Sequence, residues 1–399
     1  MSPPPTSVTY GAGTARTVGR EITLGPVALL VDPSVADTPF VEQIRNDVTE
    51  FTEDLIERVI DHQQDGWAVI EDLSYHLTSC ATLVAIGGGT VLDQAKLAAA
   101  TAASDYSANR LRKRNRSGLV LLPELADAPQ LHRIYIPTTV GTGAEVSTVA
   151  CLTEDNSKQL VMSPGLRPDL AILDPGATAT LPHFLMTEGL FEALHRVLAP
   201  FIGDKPGRHR GDEEALRLAE MIIEAGEALT DHNRVSAEVP EDLRLRVAML
   251  SAKTHMGGAN AGRDPFAAKG WFLANELSCT LHIRKTTALA AVTPVIWARI
   301  DAGDTRLGNS HRMHWIWSHL RRIAKTPLPE QPAPGLSVLM DSWSIERTLE
   351  GANQKVNEAT IRSIRAWGNG LPMMGGLRAE EIHSLFSDAL TGNLDGYSC

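Results

Sequence analysis

Three consecutive glycines, Gly87-Gly88-Gly89, follow the apolar run Leu83-Val84-Ala85-Ile86 and lead into Thr90-Val91-Leu92-Asp93-Gln94-Ala95-Lys96. Glycine lets a backbone turn sharply and approach a phosphate closely. A helix that starts at such a turn presents free N–H groups and the positive end of its dipole. Together they hold a pyrophosphate without a basic side chain; the competing reading is a plain tight turn. The spacing is not the G-x-G-x-x-G of the common dinucleotide fold. Two other sets of reactive residue types read as structural. The densest basic run, Arg110, Arg112, Lys113, Arg114 and Arg116, reads as a solvated loop. Cys80, Cys151, Cys279 and Cys399 stand far apart with no C-x-x-C pair, a usage that suits reduced thiols in a cytoplasmic protein.

A chain of 399 residues is long enough for two domains. Residues 1–180 alternate short apolar runs with helical patterns. Val27–Val31, Trp67–Ile70, Leu83–Ile86, Arg133–Ile136 and Leu170–Leu173 read as strands. Helices are expected over Thr38–Gln63 and Leu92–Ala103. Continuous apolar strands alternating with helices predict a parallel sheet covered on both faces. From residue 181 to 399 helical periodicity dominates, in Glu213–Leu229, Pro240–Lys253, Ser310–Ala324 and Ala379–Leu390. Thr326–Gly335 carries four prolines and reads as a surface connection. The expectation is an α/β dinucleotide-binding domain over 1–180 and an all-α catalytic or substrate domain over 181–399.

Composition narrows the partners. Hydrophobic residues make up 43% and charged residues 21% of the chain, as in ordinary globular proteins. A formal net charge of −11 argues against a nucleic-acid partner. No apolar run approaches the roughly 18 residues of a membrane span. The opening M-S-P-P-P-T-S does not resemble a signal peptide.

Three ordered motifs carry a resemblance. The glycine turn is similar to the G-G-G-S-x-x-D-x-A-K signature of the iron-containing alcohol dehydrogenase and dehydroquinate synthase superfamily. Pro137-Thr138-Thr139-Val140-Gly141-Thr142-Gly143-Ala144-Glu145-Val146-Ser147 resembles its P-T-T-x-G-T-G-S-E-V-T, and Arg167–Pro175 its P-x-x-A-I-x-D-P segment. Asn260-Ala261-Gly262 is a weaker fourth match. The resemblance implies a dehydroquinate synthase-like fold and an NAD cofactor, with NADP as the alternative. It implies that Gly87, Gly88 and Gly89 cradle the pyrophosphate and that Thr138, Thr139 and Thr142 donate hydroxyls to the nucleotide. Asp93 then lies near the nicotinamide half, and Lys158 reaches a ribose or phosphate oxygen. Asp32, ending the Val27–Val31 strand, accepts from a ribose 2′-hydroxyl and repels a 2′-phosphate, which favours NAD. The alternative for Asp32 is a turn aspartate before proline.

The second half departs from the pattern. These dehydrogenases hold a divalent metal through an aspartate and three histidines, and the metal polarises the alcohol oxygen. Their first two ligands lie in G-M-D-A-L-T-H; here the stretch is Gly189-Leu190-Phe191-Glu192-Ala193-Leu194-His195, with phenylalanine at the aspartate. Glu192 matches instead the metal-binding glutamate of dehydroquinate synthases, with His195 at their lysine. Three apart on a helix, Glu192 and His195 share a face, as metal ligands, as acid and orienter, or as a surface ion pair. Trp271 and Asn275 stand at the next two histidines, and the last position falls on Lys285 or, with a short insertion, on His282. The usual metal is therefore not expected. Without it, His195 and His282 are expected to flank the reacting carbon, one acting as general base, and Lys285 or Arg284 to supply charge to the oxygen. His255, His311, His314 and His319 read as structural or surface residues.

The expected function is oxidation of a hydroxyl by a nicotinamide cofactor, on a small-molecule or peptide substrate, in specialised metabolism. The superfamily includes enzymes that tailor ribosomal peptides by oxidising a C-terminal threonine to a β-keto acid that loses CO2. Arg263, Arg284 and Lys285 are candidates to hold such a carboxylate. A sugar-phosphate cyclase of dehydroquinate synthase type and a non-catalytic nucleotide-binding subunit are the alternatives. By analogy with the family, a homo-oligomer is expected.

Overall fold

A computed structural model describes residues 5–60, 66–113, 117–123, 131–154, 156–205, 207, 209–235, 238–349, 352–368, 370–392 and 394. Arg114, Arg116 and Cys399 lie outside this set. The chain divides into two compact units, 1–182 with 240–256, and 183–239 with 257–399.

The first unit is built on a six-stranded parallel sheet. Its strands are β1 (Ser7–Tyr10), β2 (Val27–Val31), β3 (Leu55–Val59), β4 (Thr82–Gly87), β6 (His132–Pro137) and β9 (Leu170–Leu173), in the order β1-β9-β6-β4-β2-β3. A three-stranded sheet, β5 (Leu119–Leu121), β8 (Ser157–Met162) and β7 (Val149–Glu154), lies in the same unit. Every residue of β2 and of β4 is buried. The pleat sends alternate side chains to opposite faces, and each face has its own cover. Val27, Leu29, Val31, Val84 and Ile86 pack with Val41, Ile44 and Val48 of helix α1 (Pro39–Phe51). Ala28, Leu30, Leu83 and Ala85 pack with Leu73 and Leu77 of α2 (Trp67–Leu77) and with Leu92, Ala95 and Ala98 of α3 (Gly89–Ala103). This is why the strands read as continuous apolar runs.

Two sequence expectations are corrected. The long helix from Thr38 to Gln63 ends at Phe51, and Leu55–Val59 pairs in parallel with β2, Val27 opposite Leu55. The edge of the sheet supplied a pairing that local periodicity does not register. Trp67–Ile70 is not a strand but the first turn of α2, whose buried positions Ile70, Leu73 and Leu77 have helical spacing. A four-residue apolar run does not discriminate the two periods.

The helix α7 (Glu241–Met256) belongs to the first unit, although its sequence reads with the helical half. Its Ala252 packs with Val146, Ala171 and Leu173, joined by Leu245 and Met249. The second unit is helical: α5 (His183–Ile202), α6 (Asp212–Arg234), α8 (Lys269–Leu281), α9 (Lys285–Asp301), α10 (Ser310–Ile323), α11 (Pro332–Ser342), α12 (Val356–Trp367) and α13 (Ala379–Thr391). The proline-rich connection is shorter than expected, because Pro332 starts α11, where a missing N–H is tolerated. Among the described residues no helix is long and apolar enough to cross a membrane.

Candidate functional site

In the sheet order, β3 lies on one side of β2 and β4 on the other. The direction of winding therefore reverses between β2 and β4. In open parallel sheets ligands bind outside the carboxyl ends of the strands at such a point. Asp32 follows β2 there, and Gly87-Gly88-Gly89 ends β4 and begins α3. Gly88 is the N-cap of α3, and among the described residues no side chain caps this 15-residue helix. Its first N–H groups have no partner within the helix.

The three glycines are required by close approach, not by φ, since none has a left-handed backbone. A Cβ on Gly87 would lie 2.7 Å from Cβ of Val91; on Gly88, 3.0 Å from Cγ2 of Thr139; on Gly89, 2.8 Å from Cγ2 of Thr142. The threonine loop thus lies directly on the glycine turn, and Thr138 N–H donates to the Gly87 carbonyl at 3.0 Å. Thr138 is buried, whereas Thr139 and Thr142 are half-buried at the rim.

Two helix α7 residues hold that loop. Ser251 Oγ accepts from Gly141 N–H at 2.8 Å, and His255 Nε2 lies 2.8 Å from the Thr142 carbonyl. The His255 ring fills the space over Gly143, whose φ is +60° and whose Cβ would meet the ring at 2.0 Å. Sequence reasoning placed α7 in the other domain and so missed both; the small-residue loop against a Ser251–His255 pair at i, i+4 was the available signal.

Other candidates have structural partners. Asp32 Oδ1 accepts from Ser34 N–H at 2.9 Å and Ser34 Oγ–H at 2.6 Å, and its Oδ2 lies 3.4 Å from Gly88 N. It braces its own turn and still places a carboxylate beside the glycines. Asp93 Oδ2 accepts from Cys151 N–H at 3.0 Å, tying α3 to β7. Lys158 sits in β8 opposite Thr153 of β7. The wholly buried Lys96 donates to Ser147 Oγ and the Val149 carbonyl, each at 2.9 Å. Burial pushes its ammonium pKa down to about 8, against the pull of Asp93 and Glu145.

In the second unit, His195 of α5 is 4% exposed, and among the described residues its Nε2 has no hydrogen-bond partner. Its ring meets Trp271 of α8 edge-on, with centroids 5.2 Å apart. Lys285 Nζ lies 4.7 Å and Arg196 Cζ 5.3 Å from the Trp271 ring centroid. Burial, with Arg196 and Lys285 nearby, pushes the His195 pKa down to about 3. An imidazole this hard to protonate is a weak base at pH 7, which argues against a general-base role for His195 near neutrality. Glu192 pairs with Arg196 at 3.2 Å on the same helix. His282 does not join the cluster; it is exposed, with φ +55°, and ends α8 as its C-cap. Arg284 is committed to Glu188 through contacts of 2.7–3.1 Å. Arg263 is buried between Asp204 and Asp212, and Asp212 also binds Arg312. Arg263 is closed to a substrate, whereas Arg284 remains exposed with its guanidinium paired to Glu188.

The donors present do not fit a divalent metal. Trp271 and Phe191 occupy positions where the family has ligands, and the Asn275 amide donates to Glu276 at 3.0 Å. Two cations lie beside His195, and they repel a dication. Among the described residues no group of three or more His, Cys, Asp or Glu side chains could hold a metal ion.

Residues 5–175 match the family model described as iron-containing alcohol dehydrogenase. A phosphonoacetaldehyde reductase of Streptomyces viridochromogenes is 34% identical over 183 residues, 45% of this chain and 43% of that protein. The chain thus spans less than half the length of this relative. Solved structures extend the likeness of fold across nearly the whole chain. The NADH-dependent butanol dehydrogenase A of Thermotoga maritima superposes with a TM-score of 0.80 at 17% identity, covering 96% of this chain and 97% of that one. The sulfoacetaldehyde reductase of Bifidobacterium kashiwanohense, solved in complex with NAD+, gives 0.71 at 17%, covering 98% and 99%. The first unit is thus similar to the iron-containing alcohol dehydrogenases in sequence, and the chain as a whole shares the fold of the solved structures.

Proposed function

We propose that the protein is an NAD-linked oxidoreductase that interconverts a hydroxyl and a carbonyl group without the divalent metal of its relatives. The observation that carries the nucleotide part is the uncapped α3 N-terminus at the reversal of the sheet, with the threonine loop seated on three glycines. Backbone N–H groups at Gly89 and Thr90 would receive the pyrophosphate, with Thr139 and Thr142 at its border. The Asp32 carboxylate disfavours a 2′-phosphate, and so favours NAD over NADP. When bound, the dinucleotide would supply the hydride acceptor, so that alcohol and NAD+ would give carbonyl, NADH and a proton released to solvent. His195 stays neutral and contributes a hydrogen bond, not a base. A peptide ending in threonine, oxidised to a β-keto acid that then loses CO2, falls within this chemistry.

The test is a titration with NADH and NADPH, following nicotinamide fluorescence, before and after exhaustive chelation. NADH should bind more tightly than NADPH, with an affinity that chelation leaves unchanged. Failure of both dinucleotides to bind would overturn the proposal. Binding without turnover of any hydroxy compound would favour a nucleotide-binding subunit.

A further inference from the structure

We infer that Lys285, Arg196 and His195, gathered around Trp271, form a subsite for an oxyanionic head group, and that the substrate is a hydroxy or oxo compound carrying a carboxylate, phosphonate or sulfonate. This rests on the oxidoreductase reading and adds the substrate class.

The first argument is the position of Lys285. It opens α9, a 17-residue helix with Arg284 as N-cap, no side-chain cap and no acidic residue in the first turn. The positive end of a helix dipole repels cations placed there. Arg284 is relieved by Glu188. Lys285 makes no ion pair among the described residues, and its ammonium lies over the Trp271 ring. The cation–π contact with Trp271 offsets part of this repulsion, and no carboxylate of the first turn adds to that offset.

The second argument is the orphaned imidazole. A buried polar atom without a partner is costly, and His195 Nε2 is such an atom. The ring packs closely on Gly270, where a Cβ would stand 3.3 Å from Nε2. The third is the local charge. Lys285 and Arg196 both stand over the Trp271 ring, a gathering of two cations in a chain whose formal net charge is −11. An oxyanion supplies an acceptor to Lys285, to an imidazole N–H and to the free N–H groups of α9. Trp271 and Lys285 are half-buried, so the cluster is open to a small solute.

The experiment is calorimetric titration of the full chain, with and without NADH, using four probes: 3-hydroxypropanoate, 2-hydroxyethylphosphonate, 2-hydroxyethanesulfonate and the uncharged 1,3-propanediol. At least one anion should bind about tenfold or more tightly than the diol, the value of one charged hydrogen bond. Lys285→Met should lose that preference and keep its NADH affinity. No measurable binding of any anion, or a diol bound as tightly as all three, would overturn the inference. So would Lys285→Met binding the preferred anion as tightly as the unaltered chain. Because anion binding is read without nucleotide as well, its failure is distinguishable from a failure to bind NADH.

Discussion

At the scale of the residue, His195 is the side chain whose environment most changes its chemistry. Histidine in an unfolded chain titrates near 6.5, and here the folded pKa is about 3. Below pH 6.5 the unfolded chain takes up a proton that the folded chain refuses. Above pH 6.5 this residue leaves stability independent of pH. As pH falls from 6.5 toward 3, stability is lost at up to about 1.4 kcal/mol per pH unit. His195→Gln should remove that slope, which denaturant melts of both proteins at pH 7.5, 5.5 and 4.5 would measure. Equal slopes would show that the imidazole is reachable by protons in the folded state. The same residue shows the limit of pattern reading. Its place on the family motif was legible, but whether it would act as a base depended on burial and on Trp271 and Lys285, which lie on other elements, as well as on its neighbour Arg196.

At the scale of the element, the nucleotide site is a contact between a strand–helix turn and a loop, and the loop is held by a helix far away in sequence. Ser251 Oγ accepts the buried Gly141 N–H across 110 positions. Ser251→Ala should destabilise the first unit by about 1–3 kcal/mol, the range for removing one partner of a buried hydrogen bond. It should also weaken NADH binding, since Thr139 and Thr142 move with the loop. Chemical denaturation and the fluorescence titration together check this; a loss of stability with unchanged NADH affinity would show that the loop keeps its place without the serine. The helix α7 itself was visible as a periodic segment. Its partner was not, because amphipathicity states that a face is buried and not which surface buries it.

At the scale of the whole molecule, the first unit closes only when residues 240–256 return to it. A fragment ending at residue 182 should expose the surface of Val146, Ala171 and Leu173 and aggregate. The same fragment joined by a flexible linker to residues 240–256 should stay in solution and bind NADH, as light scattering and fluorescence would show. A soluble, NADH-binding 1–182 fragment would contradict this. By itself the sequence determined the parallel sheet, the glycine turn and the helical second half. Those features are written in runs of neighbouring residues, as continuous apolar strands, a glycine triplet and helical periodicity. Only the tertiary structure decided that Leu55–Val59 is an edge strand, that α7 braces the nucleotide loop, that Arg263 and Arg284 are spent on carboxylates, and that His282 stands apart from His195. Each of these depends on a partner distant in the chain. Burial, pairing and electrostatic environment are properties of the packed chain, and local spacing does not contain them.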